Sequence, residues 1–137
     1  MNVVIDASLA IAWTVASQRT SAADSLLRTA NAVFVAPSIF AFEVRNALVK
    51  AERQQRITRE IADEAIAFIA NQLTALEALP DESLLADIVA LARGEGLSFY
   101  DACYLEAASR LSATLASRDA PLLAAAARRN VVIYDAR

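Results

Sequence analysis

The stretch NVVIDASLAIAW, residues 2–13, changes character at Asp6. Before it, Val3, Val4 and Ile5 form a continuous apolar run. Such a run fits a strand buried on both faces, as in a parallel sheet covered by helices. After it, residues 8–16 read as a short helix. Asp6 is unusual because it directly abuts a buried strand.

Working outward, the same alternation recurs along the chain. TSAADSLLRTA (20–30) is a second helix, capped by Thr20 or Ser21. AVFVAP (32–37) is a strand stopped by Pro37. Ser38 is placed to cap a long helix to about Gln55. Thr58 caps another, covering 59–73. ALEAL (75–79) reads as a short strand closed by Pro80, or as the end of the preceding helix. Residues 81–93 are helical, with Gly94 and Gly96 at the stop. LSFYDACYLEAASR (97–110) is a helix, SATLAS (112–117) a strand, DAPLLAAAARR (119–129) a helix and VVIY (131–134) the last strand. Strands separated by helices predict an α/β domain, a three-layer α/β/α sandwich on a mainly parallel sheet. No repeat, linker or low-complexity segment interrupts residues 1–137, so one domain is expected.

Composition narrows the function. The chain is 57% hydrophobic and 21% charged, with a mean hydropathy of +0.37. That is apolar for a soluble domain, so a homodimer is expected to bury the surplus. No apolar run is long enough for a membrane span, and Asp6 interrupts the first, which makes a poor signal peptide. One cysteine, Cys103, permits no internal disulfide and reads as a small core residue. A cytoplasmic protein is expected. Among 13 basic residues only Lys50 is lysine. The net charge of −3 does not advertise a nucleic-acid binder, though acids gathered around a metal can dominate that sum.

Histidine is absent. That removes imidazole from nucleophilic catalysis and from metal ligation. Any metal must be held by oxygen, which favours Mg²⁺ or Mn²⁺. Sites in parallel sheets form outside the carboxyl ends of the strands. Asp6 and Asp119 follow strands, and Asp101 opens a helix. Asp at such places is also ordinary capping chemistry, and SFYD (98–101) fits a capping box. Glu43 is different. It lies at the edge of the apolar stripe of Phe40, Val44, Ala47, Leu48 and Ala51, where a carboxylate needs a donor or a cation. Lys50 is the nearest candidate on that helix. Four carboxylates in one pocket would shift their pKa values or bind a cation.

These motifs in order resemble the PIN-domain family, and within it the VapC-type toxins of toxin–antitoxin pairs. VVIDASLAIAW, PSIFAFEVRNAL (37–48), LSFYDACYLEAA (97–108) and TLASRDAPLLAAA (114–126) are similar to its four motifs. The resemblance implies a metal-dependent ribonuclease inhibited by a small antitoxin. Asp6, Glu43, Asp101 and Asp119 would take the acidic positions, with Asp6 and Asp101 nearest the Mg²⁺ (or Mn²⁺). Ser8 matches the hydroxyl after the first acid and Asn46 the amide after the second. Ser117 stands where threonine is common. RNA affinity would come from Arg53, Arg56 or Arg118. An antitoxin segment is expected in a groove with Trp13, Phe40 and Phe42 as anchors, although Trp13 also suits plain core packing. Three rivals remain. A phosphoacceptor signalling domain would want a lysine at a strand end, and Lys50 is mid-helix. The others are DNA-directed and non-catalytic domains of the same fold.

Overall fold

The computed structural model describes residues 1–137. Five parallel strands form one sheet in the order β3-β2-β1-β4-β5. They are β1 (Asn2–Ile5), β2 (Val33–Ala36), β3 (Leu73–Leu76), β4 (Thr114–Ser117) and β5 (Ile133–Asp135). β1 is central, and Val3, Val4 and Ile5 are wholly inaccessible, as the unbroken apolar run requires. The connections carry α1 (Ala7–Thr14), α2 (Ser21–Leu27), α3 (Ile39–Arg53), α4 (Arg59–Gln72), α5 (Glu82–Glu95), α6 (Phe99–Arg110) and α7 (Ala120–Arg128). α1 packs against α2, α3 and α4, while α6 packs against α5 and α7. From β1 the chain moves outward to β2 and β3, then crosses to β4 and β5. Right-handed crossovers running in opposite directions place their helices on opposite faces. The sheet is therefore the middle of three layers. No helix is long and apolar enough to cross a membrane.

A single cluster of 29 buried residues fills both sides of the sheet. A smaller one, Ile88, Ala92, Ala102 and Cys103, seals α5 to α6, so the cysteine is a core residue. Trp13 is also core. It is 6% exposed, its indole N–H donates to the Ala23 carbonyl at 2.9 Å, and its ring lies 5.3 Å from that of Phe34. Phe40 is equally buried, whereas Phe42 is 68% exposed. Of the three expected groove anchors, only Phe42 presents its ring to the surface. The helical stripe that Phe40 shares with Val44 and Leu48 is buried in the main core, where α3 packs on α1 and α4.

Several boundaries differ from the sequence reading. β3 begins at Leu73, two residues before the expected strand, because Leu73 pairs with Phe34 across a register shift in β2. Leu79 lies beyond it and is 80% exposed. β5 is likewise displaced to Ile133–Asp135 by pairing with Leu115–Ser117. Ser38 does not cap α3 with its side chain. Its backbone is already helical, and the Pro37 carbonyl accepts the Phe40 N–H.

Gly94 is inside α5 rather than beyond it; the stop is Gly96, at φ +66° with its N–H on the Ala92 carbonyl. The left-handed conformation penalises any Cβ by about 1–2 kcal/mol. Gly96→Ala should therefore destabilise the protein by about that amount. Gly94→Ala should stabilise it by about 0.5–1 kcal/mol, because a Cβ there meets only the Arg129 side chain at 3.5 Å. Urea unfolding of the two variants checks the opposite signs.

Candidate metal centre and cleft

The direction of chain travel reverses between β1 and β4, so the carboxyl ends of these neighbours flank the switch point where α/β sheets open a crevice. Asp6 leaves β1 and Asp119 follows β4. Each is the N-cap of the next helix, Asp6 accepting from the Leu9 N–H at 3.0 Å and Asp119 from the Leu122 N–H at 2.9 Å. Capping and site membership are thus not alternatives for these two residues.

Asp6 is 5% exposed. One oxygen takes the Ser8 hydroxyl at 2.7 Å together with the Leu9 N–H, and the other takes the Ser117 hydroxyl. Ser8 in turn accepts the Arg118 N–H at 3.1 Å, and Ser117 accepts the Asp119 N–H at 2.9 Å. A single network therefore ties β1, α1, β4 and the start of α7. Ser117 is marked in the sequence by its motif position, but not as the partner of Asp6. The two are 111 residues apart, and only strand pairing brings them together.

Glu43 reaches the same region from α3. Its partner is the Tyr104 hydroxyl, which donates at 2.7 Å; Lys50 makes no ion pair with it. Tyr104 is one turn beyond Asp101 on α6, which places Glu43 on the Asp101 side of that helix. That i, i+3 spacing was legible, but the contact with α3 was not. Asp101 itself answers the capping question. Ser98 Oγ accepts the Asp101 backbone N–H at 3.1 Å, and the return bond from the Ser98 N–H to the Asp101 carboxylate is not made. The cap uses the main chain and leaves the carboxylate available.

Asp6, Glu43 and Asp101 are each raised by burial and by a neighbouring acid. Burial pushes the Asp6 carboxyl up, against its three hydrogen bonds, and the Asp101 charge adds to the rise. Burial also raises Glu43, opposed by the Tyr104 bond and reinforced by Asp101 and Asp6. Asp101 is raised by burial and then by Asp119, with Ser98 opposing. No three of these groups form a ready-made metal cage. The donors nevertheless fit Mg²⁺ or Mn²⁺ in kind, because these ions keep several waters and need only one or two carboxylates.

Beside the acids lies an open cleft of about 730 Å³, whose lining includes Ser8, Gln18, Glu43, Lys50, Arg56 and Arg118. Asn46 lines it too; Arg53 does not. None of the three cations has a carboxylate within ion-pair distance, although five other arginines do. Arg118 Nη1 donates to the Gln18 side-chain carbonyl at 3.0 Å, while its Nε is buried with no acceptor. Such a donor costs about 1–3 kcal/mol.

The raised carboxyls set a pH dependence. Below their unfolded values of 3.8 and 4.5 both states are protonated and nothing is lost. As pH rises through the higher folded values, the folded state must ionise crowded groups and stability falls. Metal-free protein should therefore melt higher at about pH 5 than at about pH 7.5, and Mg²⁺ at the higher pH should recover part of the difference. Asp101→Asn should keep or raise the metal-free melting temperature, since the Ser98 cap survives. Calorimetry checks all three.

A comparison with curated proteins gives no match. Among solved structures, PAE2754 from Pyrobaculum aerophilum superposes with a TM-score of 0.70 at 24% identity, over 91% of this chain and 84% of that one. FitAcB from Neisseria gonorrhoeae superposes with a TM-score of 0.60 at 18% identity, over 97% and 96%. At these identities the likeness is one of fold. The PIN domain profile matches residues 3–128, a span that holds all four carboxylates and the three cations of the cleft, and the chain therefore belongs to the PIN domain family.

Proposed function

We propose that the protein is a Mg²⁺- or Mn²⁺-dependent endoribonuclease, the toxin of a VapC-type toxin–antitoxin pair. The observation that carries this reading is the juxtaposition at the β1/β4 switch point: four carboxylates, of which Asp6, Glu43 and Asp101 are raised by burial and by neighbouring acids, beside a cleft with three unpaired cations. Acids without counter-charges call for a metal ion, and cations without counter-charges call for a polyanion. RNA cleavage in a metal-bearing PIN domain needs both.

Asp6 and Asp101 would hold the ion, and Glu43 and Asp119 would orient its waters. Such an ion, when bound, supplies charge neutralisation at the phosphate and an acidified water. The remaining work falls to the protein. Asp6 is fixed by three donors, two from α1 and one from the end of β4, so its direction is set before any ion arrives. Glu43 suits the role of proton acceptor. Its raised pKa brings it closer to neutral pH, where a general base is most effective, and the Tyr104 hydroxyl holds one of its oxygens. Attack by water rather than by the ribose 2′-hydroxyl leaves a 5′-phosphate. Phe42 and Leu79, strongly exposed on a chain of this size, support a homodimer, and the resemblance supports an antitoxin as the second protein partner.

Asp101→Asn should lower RNA cleavage by about 100-fold or more, the loss of several kcal/mol of charge stabilisation. EDTA should abolish the wild-type activity, and either Mg²⁺ or Mn²⁺ should restore it. End-group analysis should find 5′-phosphates; cyclic phosphates would contradict the water route. Light scattering at tens of micromolar should give twice the chain mass, and a lone monomer would remove the dimer from this reading.

A further inference from the structure

We propose that Arg118 is the anchor for the RNA phosphate lying next to the carboxylates, and that Gln18 positions its guanidinium. The inference rests on the nuclease reading and adds to it a residue pair with a defined task.

Its first support is placement. Arg118 stands between Ser117 and Asp119, and its backbone N–H is bonded to Ser8, which also bonds Asp6. Its main chain is therefore part of the carboxylate network, while its side chain lines the adjoining cleft. Of the three cleft cations, it is the one tied to the acids by hydrogen bonds.

The second support is the state of the guanidinium. Arg19, Arg110, Arg128, Arg129 and Arg137 all meet carboxylates within 3.0 Å. Arg118 neighbours Asp119 in sequence and the acidic group in space, yet meets none. A neutral amide, Gln18, takes one nitrogen at 3.0 Å, and Nε is left buried without an acceptor. A guanidinium with its charge uncompensated and one donor unused has more to gain from an anion than one already paired. The planar fork suits a phosphate, which offers two acceptors side by side.

The third support is the tether. Gln18 closes the 3-10 turn Ala16–Gln18 that follows α1. Its carbonyl can orient Arg118 without neutralising it. A glutamate there would neutralise it, and no partner at all would let the side chain collapse onto Asp119. Lys50 and Arg56, on and just beyond α3, line the same cleft and extend the path for further phosphates.

The test uses the full chain in the Asp101→Asn background, so that RNA is bound without being consumed. Anisotropy of a labelled unstructured RNA of about twelve nucleotides is titrated across a range of KCl concentrations. Arg118→Ala should weaken binding about tenfold at about 0.1 M salt and flatten the slope of log K against log salt by about 0.7, the release expected for one single-strand phosphate contact. Arg118→Lys should keep the slope but bind a few-fold more weakly, because it retains charge and loses the fork. Gln18→Ala should also keep the slope and, with Asp101 restored, raise KM several-fold more than it lowers kcat. Arg93→Ala, on exposed α5 surface outside the cleft, makes the same charge change and should move neither quantity.

If Arg118→Ala leaves affinity and slope unchanged while the wild type cleaves RNA, the anchor is wrong and the nuclease stands. An equal slope loss in Arg93→Ala would reduce the effect to net charge and also overturn the anchor. Should the wild type fail to cleave RNA and the Asp101→Asn parent fail to bind it, the nuclease reading falls and takes this one with it. Where Arg118→Ala fails to fold, Arg118→Gln replaces it with the same expected loss of slope.

Discussion

A carboxylate at the end of a fully buried strand must be met by donors, and at Asp6 it is met by three. The Ser8 hydroxyl and the Leu9 N–H come from α1, and the Ser117 hydroxyl comes from β4. Replacing any one leaves a charge short of a partner in a place that water does not reach, which costs more than the bond itself contributes. The network therefore fixes where α1 leaves the sheet and how the end of β4 stands against β1. Through Ser8 and Ser117 it also sets the backbone of Arg118 and Asp119. The candidate site depends on this junction because it is the only covalently remote crossing that binds its two strands end to end through side chains.

Those donors do not neutralise Asp6 at no cost. Burial outweighs them and leaves its carboxyl raised. The same holds for Glu43, whose single hydroxyl partner is insufficient against burial. Local preference is overridden at these carboxylates, while the helix caps at Thr20, Thr58, Asp81 and Ser98 follow the ordinary rules. Residues that violate local preference where the rest of a chain obeys it are where function is to be sought.

What could be read from the sequence divides along the same line. The unbroken run Val3–Ile5 announces a central parallel strand because burial on both faces removes alternation. The caps announce helix starts because their chemistry lies within three residues. Asp6, Asp101 and Asp119 were visible as acids at element ends, and Glu43 as an acid at the edge of an apolar helical stripe. The edges of β3 and β5 were not visible, because pairing with β2 and β4 decides them and LTALEAL or NVVIYD is equally apolar in either frame. Tyr104 and Ser117 were hidden as partners of acids for a related reason. A tyrosine in an apolar helix and a serine ending a strand look like packing until the sheet order brings Glu43 and Asp6 to them. For Trp13 the sequence allows an anchor or a core role, and the structure decides for the core because its ring and its N–H are both satisfied inside, by Phe34 and by the Ala23 carbonyl, neither of them its neighbour in sequence.

The arrangement of charge adds one constraint. A guanidinium and a carboxylate a few ångströms apart attract strongly once water is partly excluded, so an arginine next to Asp119 in sequence would ordinarily close on it. Such a pair would cancel one acid and one cation together, removing a ligand for a hard ion and a contact for a polyanion. Three features oppose the closure. The Asp119 carboxylate is turned to cap α7 through Leu122, the Arg118 main chain is drawn to Ser8, and its side chain is drawn to Gln18. Elsewhere five arginines do close on carboxylates, as Arg128 and Arg129 both do on Glu95. At the switch point a separation of signs is maintained. It keeps two kinds of counter-ion necessary there, one small and positive, the other extended and negative. A phosphodiester carried to a divalent ion meets both requirements in one encounter.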